Sequence, residues 1–163
     1  MTTTIYYLSA TGNSLYMARR IQQQLEETGQ VVRLVSIAKA LREQDLCPAG
    51  RVGFVMPLHF FGLPLLGEEF LSRLDLSQVT YSFLVMTCGW HYMSDAFHAA
   101  RRLFAAQGGK LSAAFYVDMV SVYLPLGDIP PEAKKNHRLQ KAAVRIEKVA
   151  EAIMHEQSSY DRE

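Results

Sequence analysis

Segments with the pattern of β-strands alternate with helical segments along this chain, and the alternation constrains its fold more than any other feature. β-Branched and aromatic residues predict five strands, over residues 4–8, 31–35, 52–56, 83–86 and 111–117. Apolar residues at helical spacing predict helices between Asn13 and Gly29 and over residues 65–74, 95–107 and 132–155. Residues 57–64 are predicted to form a loop, and residues 119–131 a longer irregular segment.

The order of these elements predicts an α/β fold with a parallel sheet. The almost wholly apolar run at residues 52–56 indicates a strand that is buried on both faces. Strands that alternate with helices build right-handed βαβ units, so we expect a three-layer α/β/α sandwich around five parallel strands in the order 2-1-3-4-5. Such a sheet binds its ligand beyond the C-terminal ends of strands 1 and 3. Because no linker interrupts the pattern, we expect a single domain over residues 1–163.

Charge and cysteine content limit the classes of partner. The net charge of +1 provides no strong field, so no nucleic-acid partner is expected. Cys47 and Cys88 lie far apart in the sequence and cannot hold a zinc or iron–sulfur site by themselves, so no metal is expected. No segment reaches the roughly 20 apolar residues of a transmembrane helix, and the N-terminus lacks the regions of a signal peptide. We expect a cytoplasmic protein with reduced thiols and no membrane partner.

The loop after the first strand has the composition of a phosphate site. Its residues are Ser9, Ala10, Thr11, Gly12, Asn13 and Ser14. The glycine permits a tight turn, the side chains add hydrogen-bond donors, and the first amides of the following helix point into the same space. Neither a Gly-Lys-[Ser/Thr] sequence nor a G-x-G-x-x-G sequence is present, so a nucleoside triphosphate and a dinucleotide pyrophosphate are not indicated. The alternative is an ordinary loop whose polar side chains cap the helix.

Residues 5–14 resemble the opening of flavodoxin-like domains, which read [Ser/Thr]-x-Thr-Gly-[Asn/Thr]-[Ser/Thr] after the first strand. They are most similar to the flavodoxin portion of flavodoxin–ferredoxin fusion proteins, with Ala10 where that family has glycine. The resemblance implies FMN, with its phosphate on Ser9, Thr11, Gly12, Asn13 and Ser14. Two cysteines cannot ligate an iron–sulfur cluster, so we expect these residues to include no ferredoxin portion. The expected partner is therefore a separate redox protein, a ferredoxin or a flavoprotein reductase.

Two further loops carry the resemblance. The loop after the third strand is similar to the family's Pro-x-Tyr-Phe-x-Gly-x-Pro, which packs against the isoalloxazine ring, and its corresponding residues are Pro57, Leu58, His59, Phe60, Phe61 and Gly62. His59 replaces the tyrosine, and an imidazole can gain a proton near neutral pH, which would favour an anionic reduced flavin. The alternative interpretation makes Phe60 and Phe61 core residues and His59 an exposed loop residue.

The loop after the fourth strand resembles the family's Thr-Cys-Gly-Gly, whose amides face the pyrimidine edge of the flavin; here it reads Thr87, Cys88, Gly89 and Trp90. Trp90 replaces the second glycine, and it lies over the ring, fills the pocket or simply fills the core. Cys88 is interpreted as a small structural residue rather than a nucleophile. Tyr123, in a segment that resembles a family Asn-Tyr-x-Pro, would close over the flavin edge or belong to an ordinary connector.

Three functions remain open at this point. The first is an FMN electron carrier, which suits a sequence without a recognisable acid/base pair or nucleophile–base arrangement. The second is an NAD(P)H-dependent FMN or quinone reductase on the same fold, with Trp90, His91 and Tyr123 as walls of a substrate site. The third is a degenerate domain that binds no flavin and serves as an interaction module, suggested by Ala10, His59 and Trp90.

Overall fold

The structure, a computed structural model, describes residues 2–89, 94–119 and 132–162. Its strands are β1 Thr2–Tyr7, β2 Val31–Ser36, β3 Gly50–Pro57, β4 Val79–Cys88 and β5 Ala113–Asp118. Its helices are α1 Asn13–Glu27, α2 Ile37–Glu43, α3 Leu65–Arg73, α4 Ala96–Ala106 and α5 Glu132–Met154.

The five strands form one parallel sheet in the order β2-β1-β3-β4-β5, which confirms the predicted fold class. Successive residues of a strand face opposite sides of the sheet, so Ile5 and Tyr6 enter two different cores. Helices α1 and α5 pack on the side of Ile5, where Ile21 and Ile146 are fully buried. Helices α2, α3 and α4 pack on the side of Tyr6, against a cluster rich in aromatic rings.

Two elements were not predicted from the sequence. Helix α2 begins directly after β2, where the Ser36 side chain accepts a hydrogen bond from the Lys39 amide at 3.2 Å. The chain that follows α5 runs beside β5, because the Ala114 amide donates to the Ser159 carbonyl and the Asp161 amide donates to the Ala114 carbonyl. This segment covers the edge of β5, which would otherwise present unpaired backbone groups.

Candidate functional site

The C-terminal ends of β1, β3 and β4 meet at one edge of the sheet. In the parallel register Tyr7 lies beside Val55, and Pro57 lies beside Thr87. The Leu58 amide donates to the Thr87 carbonyl at 2.8 Å, so the pairing of β3 with β4 continues one residue further. The loops after these three strands therefore leave the sheet side by side, where a parallel sheet of this order binds its ligands.

The loop after β1 is shaped by a left-handed glycine. Gly12 has a φ of 96° and is the N-cap residue of α1, with no side-chain capping hydrogen bond. Its amide donates to the Ser9 hydroxyl at 3.1 Å, which closes the loop on itself. A Cβ at Gly12 would meet no atom within 4 Å, so the backbone conformation rather than crowding requires glycine here. Thr11 is exposed next to it, and Asn13 is half-buried.

The start of α1 has the chemistry of an anion site. The first amides of any helix, here including Ser14 and Leu15, have no acceptor within the helix. No acidic residue lies in the first turn of α1, so no carboxylate offsets the positive end of the helix dipole. Thr11 adds an exposed hydroxyl beside these amides. The residues present therefore fit a phosphate group that is held by neutral donors and by the helix dipole.

A buried hydroxyl pair ties this loop to β4. The side-chain oxygens of Ser14 and Thr87 lie 2.9 Å apart and form a hydrogen bond in which either can donate. Both residues are almost fully buried, at 2% and 4% exposure. The two residues were predicted in separate loops, and the structure brings their side chains into contact. This bond holds the start of α1 at a set distance from the end of β4.

The loop after β3 contains a tight turn with unusual residues. The His59 amide donates to the Gly62 carbonyl at 3.1 Å, and the Gly62 amide donates to the His59 carbonyl at 2.9 Å. The two residues between them, Phe60 and Phe61, have φ values of 46° and 65°. Positive φ at both central positions is the type I′ pattern, which normally selects asparagine and glycine. A left-handed conformation costs about 1–2 kcal/mol at an ordinary L-residue, so this turn is strained.

The rings of this turn are not part of the core. Phe60 is 87% exposed and Phe61 is 42% exposed, so the interpretation of both as core residues is wrong. His59 is exposed beside them. Strain in an exposed aromatic turn at the ligand-binding edge is typical of functional sites, where the surrounding structure sustains a conformation that the residues themselves disfavour.

Relief of that strain should be measurable in the unliganded protein. We expect Phe60→Asn to raise the free energy of unfolding by about 0.5–1 kcal/mol relative to Phe60→Ala, because asparagine tolerates the left-handed region. Both variants remove the exposed ring, so the difference between their stabilities reports the cost of the left-handed backbone conformation at this position. Urea denaturation of the two variants provides the measurement. Equal stabilities would contradict a left-handed Phe60.

Two residues just before α4 hold the carbonyl of Phe61. The Ser94 hydroxyl donates to it at 2.9 Å, and the Asp95 amide donates to it at 3.3 Å. We did not identify Ser94 from the sequence. Its position just before α4 is a capping signal, but a contact 33 residues away leaves no trace in a local pattern.

Cys88 is a structural thiol at the end of β4. It is 6% exposed, and its thiol donates to the Asp118 carboxylate at 3.4 Å. Burial, and then the negative charge of Asp118, raise the pKa of this thiol far above its usual range. A thiol that stays protonated is a poor nucleophile, in agreement with the structural role predicted for it.

The remaining predicted positions divide into two groups. Pro57 and Leu58 are half-buried where β3 ends, and Gly89 is exposed just after β4. Trp90, His91 and Tyr123 lie outside the described residues.

Within the part of the chain that the structure describes, no cluster of three or more histidine, cysteine, aspartate or glutamate side chains could hold a metal ion. The described helices also include none that is long and apolar enough to cross a membrane.

Comparison with known proteins decides the family. The model of the flavodoxin family matches residues 5–145. The chain belongs to the flavodoxin family. This confirms the resemblance to flavodoxin-like domains, and it identifies a flavodoxin-like electron-transfer protein with a flavin cofactor that exchanges electrons with redox partners. A comparison with curated proteins finds no match.

Solved structures agree with the fold. A Streptococcus pneumoniae flavodoxin is 16% identical, with a TM-score of 0.55 over 91% of this chain and 99% of that one. A flavodoxin from the domain Archaea is 15% identical, with a TM-score of 0.56 over 95% of this chain and 100% of that one. A flavone reductase is 14% identical, with a TM-score of 0.62 over 99% of this chain and 67% of that one.

Proposed function

We propose that this chain binds FMN non-covalently at the C-terminal edge of its sheet and carries electrons between separate proteins. The observation that carries the proposal is the loop around Gly12, which leads into a helix end without acidic residues beside the strained turn of residues 59–62. FMN has a phosphate at one end and a ring at the other, and the two loops offer a place for each. When bound, FMN supplies the electron chemistry.

The proposed binding residues follow from the assignment of one loop to the phosphate and the other to the ring. The phosphate would be held by the side chains of Thr11 and Asn13 and by the amides at the start of α1, in a loop that Ser9 closes. Ser14 would contribute its amide, because its hydroxyl is bonded to Thr87. The ring would lie against the segment from Pro57 to Gly62, and backbone groups from Thr87 to Trp90 would face its polar edge.

Several features support a carrier rather than an enzyme with its own catalytic groups. The buried thiol of Cys88 is held protonated, so it supplies no nucleophile to the site. The turn at residues 59–62 presents exposed aromatic rings where a partner protein can approach. We propose a ferredoxin or a flavoprotein reductase as the partner. A single domain over residues 1–163 and a cytoplasmic location remain parts of this proposal.

A reductase is the alternative that one observation favours. The flavone reductase gives a higher TM-score, 0.62, than the flavodoxins compared above. The two functions differ in what reduces the flavin: a reductase takes hydride from NAD(P)H directly, whereas a carrier requires a protein donor.

The test is a titration of the purified protein with FMN, followed by anaerobic reduction. We expect the visible spectrum to show saturable FMN uptake, slow bleaching by NADPH alone and rapid bleaching when a ferredoxin–NADP⁺ reductase is added. Rapid bleaching by NADPH alone would favour the reductase. A failure to take up FMN would favour the degenerate interaction module.

His59 provides a prediction about the reduction potential. A positive charge beside the ring stabilises a reduced anion, so a fixed charge in place of His59 should raise the midpoint potential of the bound flavin. Because His59 is exposed, solvent screens the charge, and we expect the potential of His59→Lys to lie above that of His59→Phe by an amount on the order of tens of millivolts. Equal midpoint potentials in the two variants would place His59 away from the ring.

A further inference from the structure

Two buried hydroxyl groups, one on β5 and one just before α4, form a hydrogen-bonded relay that reaches the strained turn. The Tyr116 hydroxyl lies 2.8 Å from the Ser94 hydroxyl oxygen, which lies 2.9 Å from the Phe61 carbonyl oxygen. The Ala96 amide also donates to the Ser94 oxygen, at 3.2 Å. A carbonyl can only accept, so the single proton of Ser94 points to Phe61, and Tyr116 must donate to Ser94. Each bond of the relay therefore has one possible direction.

The relay is anchored in the rigid part of the fold. The Tyr116 ring stacks on Phe97, with centroids 4.1 Å apart and planes inclined by 20°. The Tyr116 amide donates to the Asp161 carboxylate at 2.7 Å, and Arg145 pairs with the same carboxylate. Ser94 and Tyr116 are 6% and 4% exposed, so water does not compete for their hydrogen bonds.

The relay ends on a turn whose central residues disfavour their own conformation. Phe60 and Phe61 adopt positive φ without the help of glycine or asparagine. The Phe61 carbonyl accepts from both Ser94 and the Asp95 amide, so its direction is set by groups outside the turn. A backbone that is held in this way keeps its shape without a ligand and need not be ordered when the ligand binds.

We propose that Ser94 and Tyr116 are positioning residues of the flavin site, which hold the turn of residues 59–62 in its binding conformation before the ring arrives. This inference rests on the proposed function, since it assigns the turn to the ring of FMN. It predicts a loss that is shared by FMN and riboflavin, because the turn contacts the ring system that both ligands contain.

The unliganded protein tests the first half of the proposal. The Gly62 amide donates to the His59 carbonyl across the turn, so its hydrogen exchange reports opening of the turn. We expect this amide to exchange about tenfold faster or more in Ser94→Ala, which removes both hydrogen bonds of the relay, and to exchange faster to a smaller degree in Tyr116→Phe, which removes one. Tyr81→Phe is the matched control, because its buried hydroxyl donates to the Gln157 carbonyl away from the turn. Unchanged exchange in Ser94→Ala would overturn the proposal.

Ligand affinity tests the second half. We expect Ser94→Ala to weaken FMN and riboflavin by the same factor, about tenfold, while Ser94→Thr, which keeps the hydroxyl, restores both affinities. Tyr81→Phe should bind both ligands as the wild type does. Faster exchange with unchanged affinities would overturn the positioning role. A wild-type protein that binds neither ligand would overturn the proposed function, and with it the assignment of the turn to a flavin, whatever the exchange data show.

Discussion

Replacing Thr11 by valine and Asn13 by alanine together should weaken FMN binding at least about a hundredfold while leaving riboflavin affinity almost unchanged. In the proposed site each of these side chains donates to the phosphate, and a hydrogen bond to a charged group contributes about 1.5–3 kcal/mol. Riboflavin lacks the phosphate, so it loses nothing when these donors are removed. The dissociation constants follow from the quenching of flavin fluorescence during titration of the apoprotein.

The same helix offers a matched control for this variant. Thr28→Val also removes a threonine hydroxyl next to α1, but at its C-terminal end, where Thr28 donates to the Leu25 carbonyl at 2.7 Å. We expect this variant to lose some stability and to bind FMN normally. An equal loss of FMN and riboflavin in the double variant would show that the loop around Gly12 does not hold the phosphate.

Asn13→Asp should have opposite effects on stability and on binding. Asn13 is the first residue of α1, whose first turn contains no acidic residue. A carboxylate at that position interacts favourably with the helix dipole, so we expect the apoprotein to gain about 0.3–1 kcal/mol in its free energy of unfolding. The same carboxylate repels the phosphate. Two like charges close together near a protein surface cost roughly 3–4 kcal/mol, so FMN affinity should fall about a hundredfold or more.

Gln23→Glu is the control for the added charge. It makes the same amide-to-carboxylate change on the exposed side of α1, away from its first turn. We expect Gln23→Glu to bind FMN as tightly as the wild type. Riboflavin affinity should stay unchanged in Gln23→Glu and in Asn13→Asp. Urea denaturation and fluorescence titration provide the two measurements. If Asn13→Asp bound FMN as tightly as the wild type, the phosphate would have to lie elsewhere.

The fold was predictable because its signals are local and repeated. Each of the five strands is a short segment rich in β-branched, aromatic or other apolar residues, and four of the helices carry the apolar spacing that packing on a sheet requires. Helix α2 was missed because it has only seven residues and follows β2 without a loop. Ser36 before Ile37 and Ala40 was the available signal, since serine caps α2 and the two apolar residues are buried.

The site was predictable only in part. Each of its loops is a short segment that the sequence can indicate, but the contacts between the loops join residues that are far apart in the sequence. The loop around Gly12 is a short motif, so its composition pointed to a phosphate. The Ser14–Thr87 bond spans 73 residues, and the Ser94–Phe61 bond spans 33, so neither leaves a local pattern. Phe60 and Phe61 also have positive φ, which phenylalanine normally disfavours. The sequence therefore contains no sign of this turn, and only the structure shows the contacts that maintain it.

The most direct test of the proposed site is a map of backbone amide chemical shifts in the ¹⁵N-labelled apoprotein, recorded with and without FMN. We expect the largest changes at Thr11, Gly12 and Asn13, in the turn of residues 59–62 and at Thr87–Gly89. Riboflavin should reproduce the changes in the last two regions and leave the loop around Gly12 nearly unshifted. Shifts that concentrate instead in the cleft between α1 and α5, near Gln24 and Glu147, would contradict a flavin site at the C-terminal edge of the sheet.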